Sequence, residues 1–143
     1  RELAAMAFNK NIDTFPYIKE AGQTPEMCLK AVEYIGSGLQ YVDNKFKTPE
    51  LCLFAMMKST YAFHTLEHVP EKLRTREICL VAAQSAVRYI KHFNDEVIRL
   101  HPDHVKTLRK LFKYVPEKFL PEIVDYIKEH LKVSQKEWER TGL

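Results

Sequence analysis

The phrase Thr24-Pro25-Glu26-Met27-Cys28-Leu29 returns as Thr48-Pro49-Glu50-Leu51-Cys52-Leu53 and again as Thr75-Arg76-Glu77-Ile78-Cys79-Leu80. The starts are 24 and then 27 residues apart (48 minus 24, 75 minus 48). A chain that restates one phrase at such a period builds one supersecondary unit several times. Glu2-Leu3-Ala4-Ala5 fits the same frame, 24 residues before Glu26, without a capping threonine. A degenerate unit begins near His101-Pro102, and a fragment of another near Leu120-Pro121-Glu122.

The phrase reads as a helix start. Thr24 and Thr48 have hydroxyls suited to the N-cap. Pro25 and Pro49 take the first helical position, where a missing N–H costs nothing. Glu26, Glu50 and Glu77 complement the positive end of the helix dipole. Met27, Cys28, Ala31, Val32 and Ile35 then follow helical spacing and predict an apolar face. Gly36 and Gly38 end that helix, and residues 39–46 read as a second, shorter one. Later copies carry Leu66-Glu67-His68-Val69-Pro70-Glu71-Lys72-Leu73 and Val115-Pro116-Glu117-Lys118, where Pro70 and Pro116 close the second element.

A unit of this size cannot bury its apolar face alone and has to stack on neighbours. The expected fold is therefore all-α. It is a helical-repeat solenoid of stacked long-helix and short-helix units in one domain, residues 1–143. The units fall near 1–23, 24–47, 48–74 and 75–101, with a degenerate unit over 102–120. A single capping helix is expected over 121–143, with Lys128, Glu129, Lys132 and Lys136 on its polar face and Trp138 near its end.

Units of this form resemble a bacterial helical-repeat family catalogued only as a domain of unknown function. The residues that carry the resemblance are Thr24 to Val42, Thr48 to Leu53, Leu66 to Leu73 and Thr75 to Leu80, with a weaker echo at Val115 to Lys118. The resemblance implies a fold and no chemistry. The chain departs from it at Arg76, which replaces the proline, in the longer second element after Ser59, and towards the C-terminus.

Composition narrows the function classes. The 143 residues are 45% hydrophobic and 29% charged, with a formal net charge of +3. That is the balance of a globular chain, far from the charge of a dedicated nucleic-acid binder. No apolar run reaches the length of a membrane span, and no signal peptide is apparent. The chain starts at Arg1, which reads as a processed or excised piece. Three well-separated cysteines exclude a disulfide framework and a CxxC site. The default location is cytoplasmic, with a secreted effector as the alternative.

Residues with chemical potential are few. Cys28, Cys52 and Cys79 share one repeat column with Ala4, so they read as small buried residues rather than nucleophiles. His64-Thr65-Leu66-Glu67-His68 matches a zinc-peptidase pattern, two ligands one turn apart with a glutamate base. No third ligand accompanies it, so His64 and His68 are weak metal candidates. A metal-dependent enzyme using His64, Glu67 and His68 is the least favoured function. His101 and His104 form a second close pair across Pro102. The stretch 74–113 is locally basic, with Arg74, Arg76, Arg88, Lys91, Arg99, Lys106, Arg109, Lys110 and Lys113 interleaved with Tyr89, Phe93 and Phe112. That makes a nucleic-acid-binding repeat the alternative function, diluted by Glu71, Glu77, Asp95 and Glu96.

Comparing units within the chain separates scaffold from payload. Glu26, Glu50 and Glu77 recur, as do Leu29, Leu53 and Leu80, and Ala31, Ala55 and Ala82. Those columns are expected to build the fold. Two columns vary: Lys30, Phe54 and Val81, then Glu33, Met57 and Gln84. These six are the expected partner-binding residues, and the expected function is non-enzymatic protein–protein interaction without a cofactor.

Overall fold

In a computed structural model, which describes residues 2–93 and 99–143, the repeated phrase forms the same local structure each time. The Thr24, Thr48 and Thr75 hydroxyls accept from the backbone N–H groups of Met27, Leu51 and Ile78 at 3.2, 3.1 and 3.3 Å. Each satisfies a donor that the first helical turn leaves without a partner. The helices so begun are α2 (Pro25–Tyr34), α3 (Pro49–Lys58) and α5 (Arg76–Phe93). Before them runs α1 (Glu2–Lys10). Between α3 and α5 lies α4 (Ala62–Thr65), and after α5 come α6 (Pro102–Tyr114), α7 (Leu120–Leu131) and α8 (Gln135–Thr141). Short 3₁₀ turns link them, among them Ile12–Tyr17, Gly36–Tyr41 and Leu66–His68. The fold is all-helical, with no strand among the described residues.

Packing follows the order of the phrases. α2 packs on α3, α3 on α5 and α5 on α7. The turn Gly36–Tyr41 lies against α2, α3 and α4, and α4 lies against α5 and α6. Cys28, Cys52 and Cys79 are wholly buried where these helices meet, as are Ala55 and Ala82. Small side chains let helix axes approach closely. Met27, Leu51 and Ile78 fill the adjoining buried column.

The recurring leucine is not core in the same sense. Leu29 is 50% exposed, and Leu53 and Leu80 are half-buried. Each lies one residue, or about 100°, beyond the buried cysteine, so it marks the edge of the apolar face. Ile35 also leaves that face. α2 ends at Tyr34 and Ile35 is extended at φ −148°, which turns its side chain outward to 55% exposure.

Three buried or half-buried polar side chains reach from just before the capping threonines to distant backbone carbonyls. Each immediately precedes a capping threonine, and each donates to the carbonyl one residue before a buried valine further along the chain. Gln23 Nε2 donates to Tyr41 O at 2.7 Å. Lys47 Nζ donates to His68 O at 2.6 Å. Arg74 Nη1 donates to Tyr114 O at 3.2 Å. Gln23 also accepts from the Asp43 N–H at 2.9 Å, and Arg74 Nε also donates to Val69 O at 2.9 Å. Among the described residues no buried side-chain nitrogen or oxygen lacks a partner.

Gly36 is required by close approach. A Cβ there would collide with the Ala55 carbonyl oxygen and the backbone nitrogen of Ser59, where α3 ends against the turn.

The single helix expected over 121–143 is two helices. Lys132 adopts the left-handed conformation (φ 56°) after α7, and the Ser134 hydroxyl caps α8 by accepting from Glu137 N at 3.1 Å. A left-handed residue ends a helix, and the fresh cap starts another. Arg76, the departure from the repeated proline, pairs its guanidinium with the Glu122 carboxylate at the start of α7. Glu137 accepts from the Leu100 N–H at 2.9 Å, and Arg140 donates to Leu100 O at 3.2 Å. α8 thus holds both backbone groups of the residue leading into α6.

Candidate binding groove

α2 and α3 end on the same side of the molecule, and their ends set the residues of a groove. The termination of α2 places Tyr34 and Ile35 there. The termination of α3 at Lys58 places Thr60 and Tyr61 beside them. α5 runs for 18 residues against 10 in α2 and α3, so its last turns add Arg88, Tyr89, His92 and Phe93.

Adjoining cavities follow this line. One of about 220 Å³ lies between Phe15 and Pro16 and the residues Tyr34, Ile35 and Tyr41. It shares Tyr34 and Ile35 with one of about 540 Å³ that reaches Lys58, Tyr61, His64, Glu67 and Lys110. That one shares Thr60 and Tyr61 with one of about 280 Å³ lined by Arg88, Tyr89, His92 and Phe93. Tyr89 and Phe93 then border one of about 680 Å³ with Arg99, His101 and His104.

Aromatic rings run along the groove. Tyr61 meets Tyr89 edge-on at 5.8 Å between centroids, and Tyr89 meets Phe93 at 5.3 Å and His104 at 6.0 Å. Edge-to-face pairs at these separations hold rings in place. Tyr34, Tyr61 and Phe93 are nevertheless 64%, 52% and 65% exposed, so the row keeps apolar surface open to solvent.

The His64–His68 pattern falls at the middle of this line. α4 stops at Thr65 and a 3₁₀ turn carries Leu66–His68, so the two imidazoles span a change of helix type. Lys110 Nζ stands 3.4 Å from His64 Nδ1 and donates to Glu67 Oε1 at 3.3 Å. His68 Nε2 is 3.4 Å from the same carboxylate oxygen. Burial holds His64 below the ordinary histidine range, helped by Lys110 and opposed by Glu67. His68 is lowered by burial against the pull of Glu67. Burial raises the Glu67 carboxyl, but hydrogen bonds from Lys110 and Tyr114 outweigh it and leave it below the usual value. At the other pair, His101 caps α6, its Nδ1 accepting from Asp103 N at 3.2 Å. Among the described residues no three His, Cys, Asp or Glu side chains are grouped to hold a metal.

Part of the basic stretch is held by contacts within the fold. Arg74 binds backbone carbonyls, Arg76 pairs with Glu122, Arg109 donates to Thr141 O at 3.3 Å and Lys110 pairs with Glu67. Arg88, Arg99, Lys106 and Lys113 remain exposed and Lys91 is half-buried. Asp95 and Glu96 lie outside the described residues. The three cysteines are free and buried, and burial pushes each thiol up to about 11.

Of the six residues singled out by column variation, Lys30, Glu33, Met57 and Gln84 are exposed, and Phe54 and Val81 are half-buried. Phe54 and Val81 pack against the core. Lys58 Nζ lies 5.5 Å above the Phe54 ring, while Met57 is 68% exposed. None of the six lines the groove. The groove residues Tyr34, Ile35 and Tyr61 lie at or just past the ends of α2 and α3, beyond the two varying columns. Their signal was the placement of large apolar residues beside Gly36 and beside Thr60.

No helix among the described residues is long and apolar enough to cross a membrane. Compared with family models, curated proteins and solved structures, the chain matches none.

Proposed function

We propose that the chain is a non-enzymatic helical-repeat module, a solenoid of the kind its resemblance to the bacterial family implies, which binds another protein. The groove along the helix ends holds an extended segment of that partner. The observation that carries this is the unbroken line of exposed apolar side chains from Tyr34 and Ile35 through Tyr61 to Phe93. Exposed apolar lines rimmed by charge mark interaction surfaces, and repeat arrays use an extended face in this way.

The chemistry of the groove favours polypeptide over nucleic acid. It is lined by the C-terminal ends of α2 and α3, where the last carbonyls have no intrahelical donor. Such ends attract N–H groups and repel phosphates. Lys58 and Arg88 on the rim select a segment carrying acidic residues between apolar ones. The free thiols suit a reducing compartment, the cytoplasm of the producing cell or of a cell that receives the protein as an effector.

The test places a photo-crosslinking phenylalanine derivative at Tyr61, and in a second protein at Met57, in lysate of the source organism. A nuclease-resistant protein adduct at Tyr61, lost when Phe93→Asp is added to the folded protein, is the expected result. A nuclease-sensitive adduct would move the assignment to nucleic acid. An adduct at Met57 alone would return it to the varying columns.

A further inference from the structure

The repeat frame makes α1 the counterpart of α2, α3 and α5. Leu3 then shares a column with Met27, Leu51 and Ile78, since 3 plus 24 is 27, 27 plus 24 is 51 and 51 plus 27 is 78. The three counterparts are buried, and Leu3 is 81% exposed. Ala4, aligned with the wholly buried Cys28, Cys52 and Cys79, is only half-buried, and so is Ala7, aligned with the buried Ala31, Ala55 and Ala82. Met6, three residues after Leu3 and on the same side of the helix, is also exposed.

A second observation concerns the backbone. The carbonyls of Tyr41 and His68 each accept from the residue before a capping threonine one unit earlier, and that of Tyr114 from such a residue two units earlier. Tyr17 is the counterpart of Tyr41, since 17 plus 24 is 41. Among the described residues no side chain donates to its carbonyl. The Tyr17 ring is itself exposed.

We infer that the outer face of α1 is a stacking surface for one further unit of the same pattern, a helix ending in a Gln, Lys or Arg that precedes its partner's cap position and donates to Tyr17 O. The inference rests on the repeat reading proposed above. Its argument is continuity: α2 rests on the turn Ile12–Tyr17, α3 on α2 and α5 on α3, and the same columns are buried in all three of these helices. The opposite end differs. Among the described residues after Phe93 no large hydrophobic side chain is exposed, so that end offers no apolar counterpart to Leu3 in a second copy joined head to tail.

The experiment inserts a copy of residues 24–48 directly before Arg1 of the full chain. That keeps the frame, supplies the missing cap from Thr48 and sets a copy of Lys47 to reach Tyr17 O. The expected result is a melting temperature raised by about 4 °C or more, with the added residues helical by circular dichroism. Leu3→Asp should abolish that gain in the extended protein while leaving the melting of the original chain unchanged. Added helix with no gain in melting temperature, and no effect of Leu3→Asp, would overturn the inference alone. An added segment that stays unfolded would overturn the repeat reading with it. A Leu3-dependent dimer of the original chain by light scattering would overturn it in favour of a second copy.

Discussion

Arg74 and Tyr114 are 40 residues apart and joined twice. The Arg74 Nη1 donates to the Tyr114 carbonyl at 3.2 Å, and its guanidinium carbon lies 5.3 Å from the centre of the Tyr114 ring. The same side chain binds the carbonyls of Val69 and Glu67. One residue therefore fixes the approach of the 66–69 segment to the end of α6. Arg74→Ala should lower stability by about 1.5–3 kcal/mol, the range for hydrogen bonds to charged groups. Arg74→Lys should recover only part, because an ammonium lacks the planar fork. Urea unfolding with an unchanged midpoint in Arg74→Ala would show that the clamp contributes nothing.

Two glycines two residues apart should respond differently. A Cβ at Gly36 meets α3 backbone, whereas at Gly38 its nearest neighbour is the Ala31 carbonyl oxygen at 3.2 Å. Both neighbours are backbone, which cannot move aside as a side chain can, but the overlap at Gly36 is far the deeper, so Gly36→Ala should cost roughly 1–3 kcal/mol. Gly38→Ala should cost clearly less. Equal melting temperatures for the two variants would contradict the close approach of the turn to α3.

The cysteine column makes a chemical prediction. Each thiol is raised from 9.0 to about 11 by burial, and only the thiolate reacts. Two units of pKa leave roughly 100-fold less thiolate at neutral pH. A neutral thiol reagent should label the native protein at least that much more slowly than the urea-unfolded one. Rapid labelling of a single cysteine in the native state would mark that unit as open.

Acid should weaken the fold in two stages. His64, His68 and His104 are all held below their ordinary 6.5, chiefly by burial. The unfolded chain then binds more protons than the folded one just below that value, so stability falls as pH drops through about 6.5. The carboxyls of Glu67 and Glu137 are held low, Glu137 at about 2 by hydrogen bonds from Arg140 above all. Their contribution is present above the ordinary 4.5 and is lost below it as they protonate. Melting curves from about pH 8 to pH 3 should show both declines, and a His64→Gln, His68→Gln, His104→Gln protein should lose most of the first. A first decline of unchanged size in that protein would refute the assignment.

The sequence determined the local grammar of this protein. Thr24, Thr48 and Thr75 start helices because a hydroxyl at that position satisfies an orphan N–H, and Cys28, Cys52 and Cys79 are buried because the helical period sets them on the apolar face. These effects act within a turn or two of chain. Tertiary structure alone decided the rest. The clamps of Gln23, Lys47 and Arg74 were invisible as a column because three different side chains do one job across 18, 21 and 40 residues. Arg74 and Arg76, read as part of a basic stretch, each hold a partner within the fold, Arg76 from an exposed position, since a charge in sequence carries no record of the carbonyl or carboxylate that will face it. The groove is likewise a property of where α2, α3 and α5 end relative to one another. No spacing along the chain encodes that Tyr34, Tyr61 and Phe93 come to lie on one line; the packing of separate helices puts them there.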